Sequence, residues 1–140
     1  MQWNATRNAG FSPEGTEPWL PVAGDHETVN VKAQQADPRS MLALFRRLAS
    51  LRRTCPALSN GSYRPMYTGD DLAQAYLREH EDQRLLVALN FGPEPRRLDL
   101  SKAGGKANLL LSTHLDRTGH PDLRELPLRP GEGVLLSLEH

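Results

Sequence analysis

Disulfides are missing from this chain, because it has a single cysteine, Cys55. One thiol forms no internal bridge and suits a reducing compartment. Long hydrophobic runs are missing too: none approaches the ~18 residues of a membrane-spanning helix. No basic start followed by an apolar stretch marks a secretory leader. Net charge is absent, since 17 basic and 17 acidic residues cancel. No global field therefore draws the chain to nucleic acid or an anionic membrane. The expectation is a cytoplasmic protein with neither as partner.

Aromatics are scarce, at 6%, and unevenly placed. Trp3, Phe11 and Trp19 all fall in the first 22 residues. That stretch has no helical or strand period. Pro13, Pro18 and Pro21 remove backbone donors, and Gly10 and Gly15 break local order. Large aromatics in an aperiodic segment need a surface from elsewhere. The segment reads as a loop from the wall of a larger domain.

From Val22 to Ala36 the expectation is extended chain, with Val29 and Val31 alternating with Asn30 and Lys32. Asp37 then reads as a helix cap and Pro38 as the first helical residue. Met41, Leu44, Phe45, Leu48 and Leu51 share one face at three- and four-residue spacing. Pro56 ends the pattern, so the helix is predicted over about 38–54. Arg52 falls between Phe45 and Leu48 on the helical wheel and calls for a carboxylate or free carbonyls.

Beyond residue 60 the period becomes two. Short strands are predicted at Ser62–Tyr67, Leu72–His80, Arg84–Phe91, Arg97–Leu100, Ala107–Ser112, Leu123–Leu128 and Gly133–Leu138. Glycine and proline separate many of them, as in an antiparallel sandwich or barrel. Arg84–Phe91 is apolar on both faces, like a central buried strand. Leu85, Val87, Leu89 and Phe91 are expected on its core side.

Motifs for chemistry are thin. Asp70-Asp71 follows Thr68-Gly69 and reads as a solvated turn, not a catalytic dyad. Glycosidic acid/base pairs come from separate elements across a cleft. His114, Asp116 and His120 match no standard metal spacing. Cys55, between Thr54 and Pro56, reads as a structural thiol. Gly104-Gly105-Lys106 lacks the spacing of a phosphate loop. No catalytic set, metal or cofactor is expected from these residues.

Longer motifs carry more. Met1-Gln2-Trp3, Asn8-Ala9-Gly10-Phe11, Pro18-Trp19-Leu20-Pro21-Val22, Val29-Asn30-Val31 and Gln34-Gln35-Ala36-Asp37-Pro38 occur in this order. Phe45-Arg46-Arg47-Leu48, Pro56-Ala57-Leu58, Gly61-Ser62-Tyr63, Ala75-Tyr76-Leu77-Arg78 and Leu85–Phe91 follow. The series resembles alpha-glucosidases and oligo-1,6-glucosidases of the alpha-amylase family of glycoside hydrolases. It is dense up to Phe91 and becomes mostly pattern beyond, ending in Leu128-Arg129-Pro130-Gly131-Glu132-Gly133.

The resemblance implies a (β/α)8 catalytic barrel followed by an antiparallel β-sandwich of the domain C type. Residues 1–60 would be the end of the barrel: a loop segment over 1–36 and the last helix over about 38–54. Residues 61–140 would be the sandwich. The family's catalytic carboxylates, and the arginine two residues before the Met-Gln-Trp motif, would lie upstream. This chain would then have no catalytic residue of its own and a stabilising role. Its partner would be its own barrel, and oligosaccharide would be met through the parent enzyme; the uncovered fragment would tend to self-associate. Gln2 and Trp3 are the residues nearest the substrate pocket on this reading. The alternatives are a carbohydrate-binding sandwich, tested by the exposure of Tyr63, Tyr67, Tyr76 and Phe91, and a fragment of a transglycosylating enzyme such as a trehalose synthase.

Overall fold

The computed structural model describes residues 1–139. They form two units, Met1–Leu48 and the chain from Ala49 onward.

The first unit is turns followed by helix. Helix α1 spans Val31–Ala36, where extended chain was expected. Two valines in alternation do not outweigh a good cap before a run of helix formers. Asn30 has extended backbone, and its Oδ1 accepts from the Ala33 amide at 2.8 Å. Helix α2 spans Met41–Thr54, so it starts three residues after Pro38. The reason is a better cap. Ser40 Oγ accepts from the Ala43 amide at 3.1 Å, and Gln34 Oε1 takes the Leu42 amide at 2.9 Å. Asp37 instead closes a tight turn by accepting from the Arg39 amide. Of the apolar stripe on α2, Leu44 is buried while Met41, Phe45 and Leu48 are exposed. Arg52 is exposed as well, without the carboxylate that the wheel called for.

The second unit is mainly β and antiparallel. Its strands are β1 (Ser62–Met66), β2 (Ala73–His80), β3 (Gln83–Asn90), β4 (Arg96–Leu98), β5 (Lys106–Ser112), β6 (Leu126–Leu128) and β7 (Gly133–Glu139). Five make one sheet in the order β1-β2-β3-β7-β5, and β4 pairs with β6 in a second. The two sheets enclose one core. Ala75, Leu77, Leu86, Ala88 and Leu136 come from the large sheet, and Leu98, Leu126 and Leu128 from the small one. The seven strands match the expected set, with ends moved by a few residues. β6 is short because Pro127 confines it to a two-stranded edge.

Strand β3 is central, between β2 and β7. The side that meets the second sheet is the other one: Leu86 and Ala88 point into the shared core. Of the four residues expected there, Leu85 is buried but outside that cluster, Val87 and Leu89 are half-buried and Phe91 is exposed. An apolar pattern on both faces does not say which face meets the second sheet.

Helix α3, Pro56–Ser59, starts at the proline that was read as a stop. It is fastened to the sheet by polar contacts. Gln83 Oε1 accepts from the Ala57 amide, and the Arg78 guanidinium donates to the carbonyls of Ala57 and Leu58. Gly61 follows because a Cβ there would lie 2.3 Å from the Ala57 carbonyl oxygen. The outer strands are guarded: β1 carries Pro65, and the Leu109 amide on β5 donates to Gly119 O at 2.8 Å.

Candidate functional site

Gln2 and Trp3 are positioned by their backbone. The Val31 and Lys32 amides at the start of α1 donate to Gln2 O and Trp3 O at 2.9 and 3.0 Å. Helix starts leave amide donors unpaired, and these two carbonyls satisfy them. The Trp3 amide donates to Ala9 O at 2.9 Å. Ala9 and Gly10 both have positive φ, 51° and 76°. A Cβ on Gly10 would come within 2.9 Å of Trp3 Cβ, so glycine is required there. Buried Asn8 ties the rest of the loop: its Nδ2 lies 2.6 Å from Pro13 O, 2.8 Å from Thr16 O and 3.1 Å from Ser12 Oγ.

The two side chains differ in setting. Gln2 donates from Nε2 to Asp25 Oδ1 at 3.1 Å and lines a cavity of 560 Å³. Phe11, Trp19, Leu20 and Pro21 share that lining. Trp3 is outside the lining and exposed, and Trp19 is 91% exposed. The cavity offers an apolar wall with Gln2, Asn8, Ser12, Thr16 and the Glu17 carboxylate as its polar side chains. It holds no pair of facing carboxyls.

The best-formed polar cluster is in the second unit. Glu132 is buried and accepts from Ser112 Oγ at 2.5 Å, from the Arg129 amide at 2.8 Å and from Arg129 Nη2 at 2.8 Å. Arg117 Nε lies 2.9 Å from Glu132 Oε1, although its N–H is not aimed at that oxygen. Arg129 also grips Asp116 with two bonds of 2.7 Å. Burial alone would raise the Glu132 pKa. The bonds from Arg129 and Ser112, with the nearby Arg117 charge, overcome this and hold it at about 2. Hydrogen bonds from Arg129 bring Asp116 to about 2 as well. Carboxylates held this firmly as anions donate no proton near neutral pH. The cluster is a clasp between β5, the turn after it and the approach to β7.

Asn90 is a second fastening. Its Nδ2 donates to Glu94 O and Arg129 O at 2.8 and 2.9 Å, while Oδ1 accepts from the Gly92 amide and Arg96 Nη1 at 2.9 Å each. That satisfies both ends of the amide. Arg96 also meets Asp70 at 2.5 Å. Asp70 is held below its usual pKa, first by the Leu72 amide and then by Arg96, as suits a turn residue.

The other candidates do not assemble. Among the described residues, no three His, Cys, Asp or Glu side chains group as for a metal. Asp116 is taken by Arg129, while His120 lines a separate depression with Lys106 and Arg124. Cys55 is half-buried at the cap of α3, with Sγ 4.0 Å from Thr54 Oγ1. Sequence reasoning missed Asn8, Asn30, Gln34, Asn90 and Glu132 as fastenings. Their one available signal was a polar residue set in or beside an otherwise apolar or turn-rich motif.

Residues 1–61 match the family model described as alpha amylase, catalytic domain. The probable oligo-1,6-glucosidase 2 of Bacillus subtilis (strain 168) is 37% identical over 142 residues, covering 99% of this chain and 24% of that protein. The chain belongs to the alpha-amylase family. Membership does not fix activity. The amino acid transporter heavy chain SLC3A1 of Mus musculus is 36% identical, over 97% of this chain and 21% of that protein. Among solved structures, the isomaltulose synthase of Klebsiella sp. LX3 aligns with a TM-score of 0.88 at 28% identity. The alignment covers 99% of this alpha-amylase-family chain and 24% of the synthase. The chain thus spans about a quarter of the length of the relatives it matches. Among the described residues no helix is long and apolar enough to cross a membrane.

Proposed function

We propose that this chain is the C-terminal part of a cytoplasmic retaining alpha-glucosidase acting on small oligosaccharides, with a stabilising role and no complete active site. Residues 1–60 end the catalytic barrel and residues 61–140 form its sandwich. Gln2 faces the substrate pocket, and Trp3 packs near it. The supporting observation is the first unit's lack of a core. Among the described residues, Ala9 and Leu44 are its buried apolar side chains, while Met1, Trp3, Phe11, Trp19, Leu20, Met41, Phe45 and Leu48 face outward. Such a surface is made to be covered, here by the remainder of the barrel. Without that cover, copies of the chain would associate through it.

Retaining hydrolysis needs two carboxyls about 5–5.5 Å apart, one of them able to hold a proton. The buried carboxylate of this chain, Glu132, is committed to Arg129 and Ser112. The chain alone should release no nitrophenol from a nitrophenyl alpha-glucoside. A polypeptide extended upstream by the barrel should turn the substrate over. Inhibitor-sensitive turnover by the 140-residue chain would overturn the reading. Likeness to the isomaltulose synthase favours a second reading, a parent that transfers sugar. Isomerised or transferred products from the extended enzyme would select it. A stable extended protein without either activity would overturn both readings.

A further inference from the structure

Asp25 lies outside the lining of the first unit's cavity but holds a residue within it. Gln2 Nε2 donates to Asp25 Oδ1 at 3.1 Å. Both residues are tied to one short stretch of backbone. Asp25 O accepts from the Thr28 and Val29 amides at 3.0 and 2.8 Å, and from Thr28 Oγ1 at 3.2 Å. Just beyond, the Val31 amide holds Gln2 O. Buried Asn30 closes the same turn, donating from Nδ2 to His26 O at 2.9 Å and to Glu27 O at 3.3 Å. The approach of Gln2 to Asp25 is therefore set by anchored backbone at both ends.

We infer that Asp25 is a positioning residue for Gln2, turning the Gln2 amide oxygen into the cavity as a hydrogen-bond acceptor. A carboxylate only accepts, so it selects the NH2 end of a neighbouring amide. The amide oxygen then faces away from Asp25, and among the described residues Oε1 has no protein donor. A glutamine left to itself can turn either end to a ligand, whereas one held by a carboxylate offers a single end. At that point the cavity suits a group that donates, and a group able only to accept is disfavoured. This role rests on the reading above, in which Gln2 faces the substrate pocket of a parent enzyme.

The test uses the polypeptide extended upstream by the barrel, with a nitrophenyl alpha-glucoside as substrate. Asp25→Ala should raise KM about fivefold, the scale of one hydrogen bond, with kcat and melting temperature unchanged. Asp25→Asn should raise KM less, because asparagine can still accept but no longer dictates which end of Gln2 it holds. The double variant of Gln2→Ala and Asp25→Ala should be no worse than Gln2→Ala alone. Glu27→Ala is the control, since Glu27 enters the same turn through its backbone oxygen. Additive losses, an equal change in Glu27→Ala, or a lowered melting temperature with KM unchanged would each overturn the role. Nuclear Overhauser spectra of the 140-residue chain keep the parent's chemistry apart. A contact between the Gln2 carboxamide protons and the Asp25 methylene should appear whatever the parent does. Its absence would overturn the positioning, and its presence beside an inactive extended protein would sink only the reading of the parent.

Discussion

The two units are stabilised in different ways. From Ala49 onward, apolar side chains from two sheets meet in one core, and polar clasps close the turns around it. In Met1–Leu48 the order is reversed. Buried amides and hydroxyls of Asn8, Asn30 and Ser40 hold the backbone, while the large apolar side chains face out. Hydrogen bonds fix a shape but contribute modestly to net stability, about 1 kcal/mol each. Core burial contributes about 1.5–3 kcal/mol per large side chain. One unit is thus a body with its own apolar core, and the other is a backbone held in shape with its large apolar side chains outward.

The largest test of this contrast is on β3. Leu86→Asp should bury an unpaired charge in the core and cost about 3–5 kcal/mol, enough to unfold the second unit or lower its melting temperature steeply. Val87→Asp, one residue along on the half-buried face, should cost clearly less. Equal losses for the two would mean that the sheet buries both faces alike.

Next comes the clasp. Glu132→Gln leaves Arg117 without its anion and should cost about 3 kcal/mol. Both Glu132 and Asp116 have folded pKa values depressed to about 2. Their stabilisation is therefore complete above the ordinary carboxylate values of 4.5 and 3.8, and is lost as pH falls towards 2. Urea midpoints of the unaltered chain measured from pH 6 to pH 2.5 should fall. In Glu132→Gln the fall should be shallower. Parallel curves would show that other carboxylates govern acid sensitivity.

The smallest effect sharpens the comparison from the other side. Asn8→Ala should speed hydrogen exchange across residues 9–16 and leave the unfolding of the second unit unchanged. In the unaltered chain, dilute and monomeric, amides before Gln35 should already exchange far faster than those of β3. Strong protection there would mean that the first unit has stability of its own.

Much of the second unit was legible because strand alternation and Gly/Pro breaks are local signals. The choice of core face on β3 was not. Leu85 through Leu89 is apolar throughout, and the deciding partners, Leu98, Leu126 and Leu128, lie far along the chain. The start of α2 was misplaced because Pro38 is a good first helical residue in isolation. The winning cap uses Gln34, eight residues before the amide it holds. Gln2 and Trp3 were located through resemblance, and their structural task, closing the start of α1, depends on a contact across about thirty residues. Glu132 stands between Gly131 and Gly133, and although Arg129 is only three residues away, nothing local announced that Arg117 and Ser112 would join in enclosing it.

The guarded edges of the large sheet limit the ways in which copies of this chain could associate. Strand β1 has a proline where an incoming strand would need a donor, and β5 has already given an outward amide to Gly119. Growth by adding strands is therefore disfavoured. Contacts between copies would run through side chains of the first unit instead, such as Trp19 and Phe45. Aggregates of this protein should be loose, reversible on dilution and poor at binding amyloid dyes, rather than fibrous.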